Sequence, residues 1–255
     1  MLPILMYHSV PASGPGNPLA VPRPLVARQW RALRAEGWVL RGLTEALAIA
    51  RVSPHAHIIG VTFDDGYADF LGVLELLSAH DGRATLYLPT SQPGVSVDAA
   101  KSHARWLSWA EVASLPPDLV EIGSHAHMHR PLDVLPQADI DHEVRHSRQL
   151  LAQHLGAEPA SFCYPNGYSS RRVRRAVTAA GYANACVVGR RLADPDGDVY
   201  ALPRLQVTPT HDEARIVTLI SEGEAGLAPR PKQMAYPAWR MTRLIVYRAT
   251  GRMLT

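Results

Sequence analysis

Val61-Thr62-Phe63-Asp64-Asp65-Gly66 is the stretch on which the reading of this chain turns. An apolar run ends in two adjacent carboxylates, and a glycine then turns the backbone. The run over residues 57–63 predicts a buried strand. Side chains that neighbour each other on extended backbone point apart, so Asp64 and Asp65 are expected to do different jobs. An Asp-Gly strand end with one helix cap would account for the same letters, so the stretch needs support from elsewhere.

Outward from it, six further strands are predicted over 2–8, 83–88, 119–123, 160–164, 183–188 and 203–207. Helical patterns fall between them over 25–37, 44–50, 67–79, 140–155, 171–180 and 212–221. Thr44 is read as the N-cap of the second helix. Ser108 with Glu111 three residues on has capping-box spacing and starts a further short helix. Strands that alternate with helices argue for a parallel sheet with crossover helices. In a closed α/β barrel the loops beyond the strand C-termini converge on one mouth.

Two more clusters follow predicted strands. Gly123-Ser124-His125-Ala126-His127-Met128-His129 puts three imidazoles in five residues, and His125 and His129 have a chelating i, i+4 spacing. One carboxylate with two imidazoles and open positions is a metal site that keeps water. Cys163-Tyr164-Pro165-Asn166-Gly167 is a strand end followed by a turn. It reads as an ordinary turn, or as one that presents backbone N–H groups to an oxyanion. His55 and His57 precede the second predicted strand and are read as structural, and Asp69 and Glu75 as solvated.

Composition bounds the rest. The chain has 255 residues, 47% hydrophobic and 19% charged, which excludes a disordered chain. With 26 Lys+Arg against 23 Asp+Glu, a formal charge of +3 is no nucleic-acid footprint. Two cysteines cannot build a disulfide framework. The first residues have no basic leader pattern, and no apolar run approaches bilayer length, so a cytoplasmic protein is expected.

Taken together the three clusters resemble those of the polysaccharide deacetylases, the nodulation-type deacetylase domain of carbohydrate esterase family four. Met6-Tyr7-His8-Ser9-Val10, Gln29-Trp30-Arg31-Ala32-Leu33 and Leu43-Thr44-Glu45-Ala46-Leu47 are similar to the poly-N-acetylglucosamine deacetylase branch. Thr62 to Gly66 matches the first catalytic motif, and Leu107-Ser108-Trp109 with Ile122 to His129 the second. The resemblance implies a distorted, TIM-like (β/α)7 barrel and hydrolysis of an N-acetyl group on a sugar or polysaccharide. It implies one divalent metal, most often zinc, held by Asp65, His125 and His129, with Asp64 as general base.

The departures from the family pattern are specific. Ala126 stands where Ser or Thr is usual, and Cys163 where an Arg usually steadies the base. Arg204 is the candidate to supply that guanidinium instead. The usual Leu-x-x-His general acid is absent from Thr218-Leu219-Ile220-Ser221, which leaves His8, His127 and His211. His8 is favoured, since it ends the first strand. Tyr7, Tyr164 and Asn166 are the candidates for substrate or oxyanion contact. Two other readings stay open: an amide or imide hydrolase acting on a non-carbohydrate, and a glycan-binding pseudoenzyme.

Residues 1–230 are expected to form the barrel and 231–255 a basic amphipathic helix. Trp239, Met241, Leu244, Ile245, Val246 and Tyr247 stand there among Arg240, Arg243, Arg248 and Arg252, with no acidic residue from 234 to 255. Such a helix packs on the barrel with its Arg stems turned outward, or meets an anionic membrane surface or an envelope-pathway partner.

Overall fold

Strand parity builds the molecule. In the computed structural model, which describes residues 1–14, 18–94, 105–224, 236–250 and 254, eight strands form one parallel sheet. They are β1 (Ile4–Tyr7), β2 (Val39–Arg41), β3 (Ile58–Phe63), β4 (Ala84–Leu88), β5 (Val120–Ser124), β6 (Ser161–Cys163), β7 (Asn184–Gly189) and β8 (Leu202–Gln206). β1 pairs with β8 on one side and with β3 on the other, from Ile4↔Gly60 to Tyr7↔Phe63. That double pairing closes seven strands into a barrel.

β2 is the strand that the sequence pattern does not announce. It lies beside the first half of β3, with Leu40 opposite Ile59, and β4 takes the same edge from Thr62 onward. A three-residue strand is too short for an alternation to register. The Leu40 carbonyl also accepts from the Arg83 N–H just before β4, so β2 sits between the first half of β3 and the start of β4.

Alternate residues of each strand face opposite ways. Ile4, Tyr87, Cys163, Cys186 and Leu202 pack together inside the barrel. Leu5, Tyr7, Ile59, Val61, Phe63 and Leu205 pack outward with Trp30 and Leu33 of α1 (Arg23–Ala35). Further round, Phe162 and Tyr164 pack outward against Val144 of α5 (Gln137–Leu155) and Val173 and Val177 of α6 (Arg171–Ala179). Tyr87 crosses the interior because Gly123 has no side chain; a Cβ there would come within 2.4 Å of the ring.

The remaining helices are α2 (Leu43–Val52), α3 (Val73–Ala79), α4 (Trp109–Ala113), α7 (Glu213–Glu222) and α8 (Tyr236–Thr250). The capping box at α4 is complete: Ser108 accepts from the Glu111 N–H, and the Glu111 carboxylate accepts from the Ser108 N–H. At α2 the expectation fails by two residues. Gly42 is the N-cap, because the Thr44 hydroxyl is spent on the Glu121 carboxylate. The stretch from residue 67 is also not one helix: a 3-10 segment (Ala68–Gly72) precedes α3.

α8 fastens to the barrel through a guanidinium that faces inward. Buried Arg243 donates to both oxygens of buried Asp133, at 2.9 and 2.8 Å, and lies 3.8 Å from the centre of the Tyr168 ring. This differs from the expected outward Arg stems. Met241 and Ile245 are large apolar residues exposed on the helix. No helix among the described residues is long and apolar enough to cross a membrane.

Candidate active site

Three strand ends bring the chemistry to the C-terminal mouth. Asp64 follows β3 with the inward parity of Gly60 and Thr62. Asp65 leaves the extended conformation, with φ at 74°, and Gly66 follows at 70°. That left-handed step is why two neighbouring carboxylates reach one site although extended backbone would send them apart. On the loop after β5, Ala126 and His129 also take positive φ, at 62° and 54°. Such conformations cost of order 1–3 kcal/mol each and persist only where the surroundings fix them.

Buried Glu143 of α5 does that fixing. One carboxylate oxygen accepts from the His127 and Met128 backbone N–H groups at 2.9 and 2.8 Å, and the other from Arg130 Nε at 2.7 Å. Nothing in the periodicity of α5 marks this residue except its charge on the buried face of the helix.

The donor atoms converge. His129 Nε2 lies 3.2 Å from His125 Nε2 and 3.4 Å from Asp65 Oδ1, and His125 Nε2 lies 3.6 Å from Asp65 Oδ1. A tetrahedral ion held at zinc-type bond lengths would set its ligand atoms about 3.3–3.5 Å apart. His125 Nδ1 sits 2.8 Å from the Cys163 carbonyl, which fixes the tautomer with its lone pair on Nε2, as metal-binding histidines require. These three residues therefore fit a divalent cation. Without one, burial and the neighbouring His129 push the His125 imidazole down to about 4.

Asp64 has a different partner. Arg204, from β8, donates to Asp64 Oδ1 at 2.6 Å and to Oδ2 at 2.7 Å, and also reaches Thr62 Oγ1 and Cys163 Sγ at 3.0 Å each. The small thiol at 163 leaves the guanidinium room to cross the barrel. Burial alone would raise the Asp64 carboxyl. The charge and hydrogen bonds of Arg204, with His125 and His8, outweigh it and hold Asp64 well below the usual carboxylate range.

Of the three candidate acids, His8 alone stands beside Asp64, with Nε2 at 4.0 Å from Oδ2. His127 turns to the outer side, where its Nδ1 lies 2.9 Å from Thr90 Oγ1. His211 Nδ1 accepts from the Thr208 N–H in the loop after β8.

Two of the residues expected at the substrate face away from the barrel interior. Tyr7 has outward parity; its fully buried hydroxyl donates to Gln29 Oε1 at 3.1 Å and accepts from Trp30 Nε1 at 3.3 Å. Tyr164 is likewise outward, with its hydroxyl donating to the Tyr200 carbonyl and its N–H to the Cys186 carbonyl, which leaves no donor for an oxyanion. Asn166 is exposed, in a left-handed turn at φ 57°. Asp69 is also not solvated: one oxygen accepts from the Ser9 hydroxyl and from the Val10 N–H, which ties the loop after His8 to the mouth. The mouth has an aromatic wall that motif reading missed. Tyr67 and Trp106 stack with centroids 6.3 Å apart and line a cleft with Asp65, Pro89, Gln92 and His129.

Comparison with known proteins agrees with this geometry. Residues 51–185 match the polysaccharide deacetylase family, and the chain belongs to it. It is thus a carbohydrate deacetylase by family, a hydrolase of acetyl groups. YxkH of Bacillus subtilis, which bears a polysaccharide deacetylase name, is 25% identical over 82% of this chain and 72% of its own length. Among solved structures, the deacetylase PplD of Streptococcus pyogenes, in complex with acetate, superposes with a TM-score of 0.74 at 20% identity, covering 86% of this chain and 97% of that one. IcaB of Ammonifex degensii gives 0.75 at 22% identity, over 85% and 95%. At these identities the likeness speaks for the shared barrel.

Proposed function

We propose that this protein is a metal-dependent N-deacetylase of an N-acetylated sugar or polysaccharide, with Asp65, His125 and His129 as ligands and zinc as the ion. The observation that carries the reading is the convergence of those three donor atoms beside the Asp64–Arg204 pair. When bound, such an ion supplies Lewis acidity toward the acetyl oxygen and lowers the pKa of a water to about 7.

The chain's own residues do the rest. Asp64 accepts the proton of the attacking water, and Arg204 holds its carboxylate plane and keeps it ionised. His8 Nε2, close to the same oxygen, is the donor toward the leaving amine. The Cys163 carbonyl keeps His125 in the ligating tautomer. Tyr67 and Trp106 offer the flat apolar surface that a sugar face stacks on. Burial and the Asp65 charge push the Tyr67 hydroxyl up, so it stays a neutral donor.

The test is metal analysis coupled to acetate release from N-acetylglucosamine oligomers. One equivalent of metal, with release that stops under chelation, is expected. Asp64→Asn should keep the metal and lose turnover by about 10²–10⁴-fold, the usual contribution of a general base. Near-normal release by that variant removes Asp64 from the role. Oligomer binding without release at full metal loading overturns the enzyme reading in favour of a glycan-binding protein.

A further inference from the structure

His127, His142 and His146 form a second imidazole cluster that the deacetylase chemistry does not use. His142 and His146 stand one turn apart on α5, their rings near parallel at 15° with centroids 4.9 Å apart. His127 comes over them from the loop, 4.6 Å from His146 and 6.0 Å from His142. Two imidazoles on a tetrahedral ion with metal–nitrogen bonds of about 2.1 Å place their ring centroids about 5 Å apart. The observed edges bracket that value; the His127–His146 planes are already crossed, whereas the His142 ring, near parallel to His146, must turn to share an ion. The His127–His146 pair, at 4.6 Å and 75°, also repeats the 4.6 Å and 73° of His125 and His129 at the mouth.

We propose that these three residues bind a second, borderline transition-metal ion such as Ni²⁺, Cu²⁺ or Zn²⁺, on the outer face of the barrel. Three features favour a site over simple ring packing. Histidines at i, i+4 on one helix face are a chelating pair. Thr90 Oγ1 meets His127 Nδ1 at 2.9 Å, which can fix the tautomer that leaves Nε2 to ligate. Glu143 stands between His142 and His146 in sequence, and its two bonds to the His127 and Met128 N–H groups hold the loop over the helix. Unlike the Asp65 set, the three imidazoles do not already converge on one point. Binding therefore needs one ring to swing in, and His142, which is exposed and on the longest edge, is free to do so. Since His127 lies between two residues of the mouth, an ion here would clamp that loop to α5.

The proposal stands apart from the reading of the mouth, and its test separates the two. The full chain, Asp65→Asn and His142→Gln/His146→Gln are titrated with Ni²⁺ by calorimetry, and their Cu²⁺-loaded forms are read by electron paramagnetic resonance. Asp65→Asn should still bind one ion, with nitrogen hyperfine structure from imidazole ligands. The double variant should lose that class of site while its circular dichroism and thermal midpoint stay unchanged. Thr90→Val should weaken the α5 site by about 10–100-fold, as loss of a supporting hydrogen bond to a ligand does. Equal stoichiometry and affinity in the full chain and the double variant overturn the proposal, as does a Thr90→Val chain that binds at full affinity.

Discussion

Two buried Arg–Asp pairs sit in this molecule and look alike. Arg204 grips Asp64 with both terminal nitrogens, and Arg243 grips Asp133 the same way. Each guanidinium lies over a tyrosine ring, Tyr87 for the first and Tyr168 for the second. Each leaves its buried Nε without a partner. The difference lies in what can move. Arg204 is on β8 and Asp64 follows β3, both locked in the closed barrel, whereas Arg243 is on a C-terminal helix that contributes no strand. Loss of a partner in the first pair strands a charge with no way out. Loss in the second lets the helix lift and water reach Asp133. Identical bonds therefore have unequal worth, because the unpaired state each must be compared with is different.

The sharpest way to break the comparison is Arg204→Met. It leaves Asp64 buried without its guanidinium partner, and should cost about 3–5 kcal/mol in stability as well as acetate release. The double variant Asp64→Asn/Arg204→Met should recover much of the stability and none of the turnover. Urea unfolding of both checks this, and a single variant as stable as the parent chain would mean that the charge finds solvent after all.

Arg243→Met should do less. Its barrel should unfold within about 1 kcal/mol of the parent, because a lifted helix exposes Asp133 to water and the loss is then that of a solvated ion pair. Instead, limited proteolysis should cut within 236–250 at low protease, with acetate release retained. A fall in stability as large as that of Arg204→Met would show that α8 and the barrel unfold as one unit.

The smallest effect concerns membranes. Arg240 and Arg243 face Asp133, so the helix has fewer cations to offer lipid than its sequence suggests. Anionic liposomes should pellet the full chain and a chain ending at Gln233 to nearly the same small extent. A large excess for the full chain would revive the amphipathic reading of this segment.

How much of this was legible in the letters follows from strand parity. Asp64-Asp65-Gly66 and His125 to His129 could be read because residues that carry chemistry interrupt apolar runs at strand ends. The same alternation, carried further, separates good candidates from poor ones. His8 shares the inward parity of Ile4 and Met6, and Arg204 that of Leu202. Tyr7 and Tyr164 share the outward parity of Leu5 and Phe162 and go to the helix layer. A motif names both classes alike, and only counting by twos tells them apart. Glu143, Thr90 and Trp106 were illegible for another reason: each acts through a loop whose path is set by the fold and not by any local pattern.

The closing of the barrel has a consequence for how the protein is made. β1 leaves the ribosome well before β8, and it can pair with β8 only after residues 202–206 have been synthesised. Asp64 waits equally long for Arg204. Pairings at such sequence separation are slow to form, since a long loop must close before any contact rewards it. Until then a nascent chain carries two open sheet edges and an unneutralised carboxylate at the seam. The last strand thus acts as a checkpoint: no N-terminal fragment, however well it collapses, can assemble the paired Asp64, so this chemistry cannot begin before the barrel is whole.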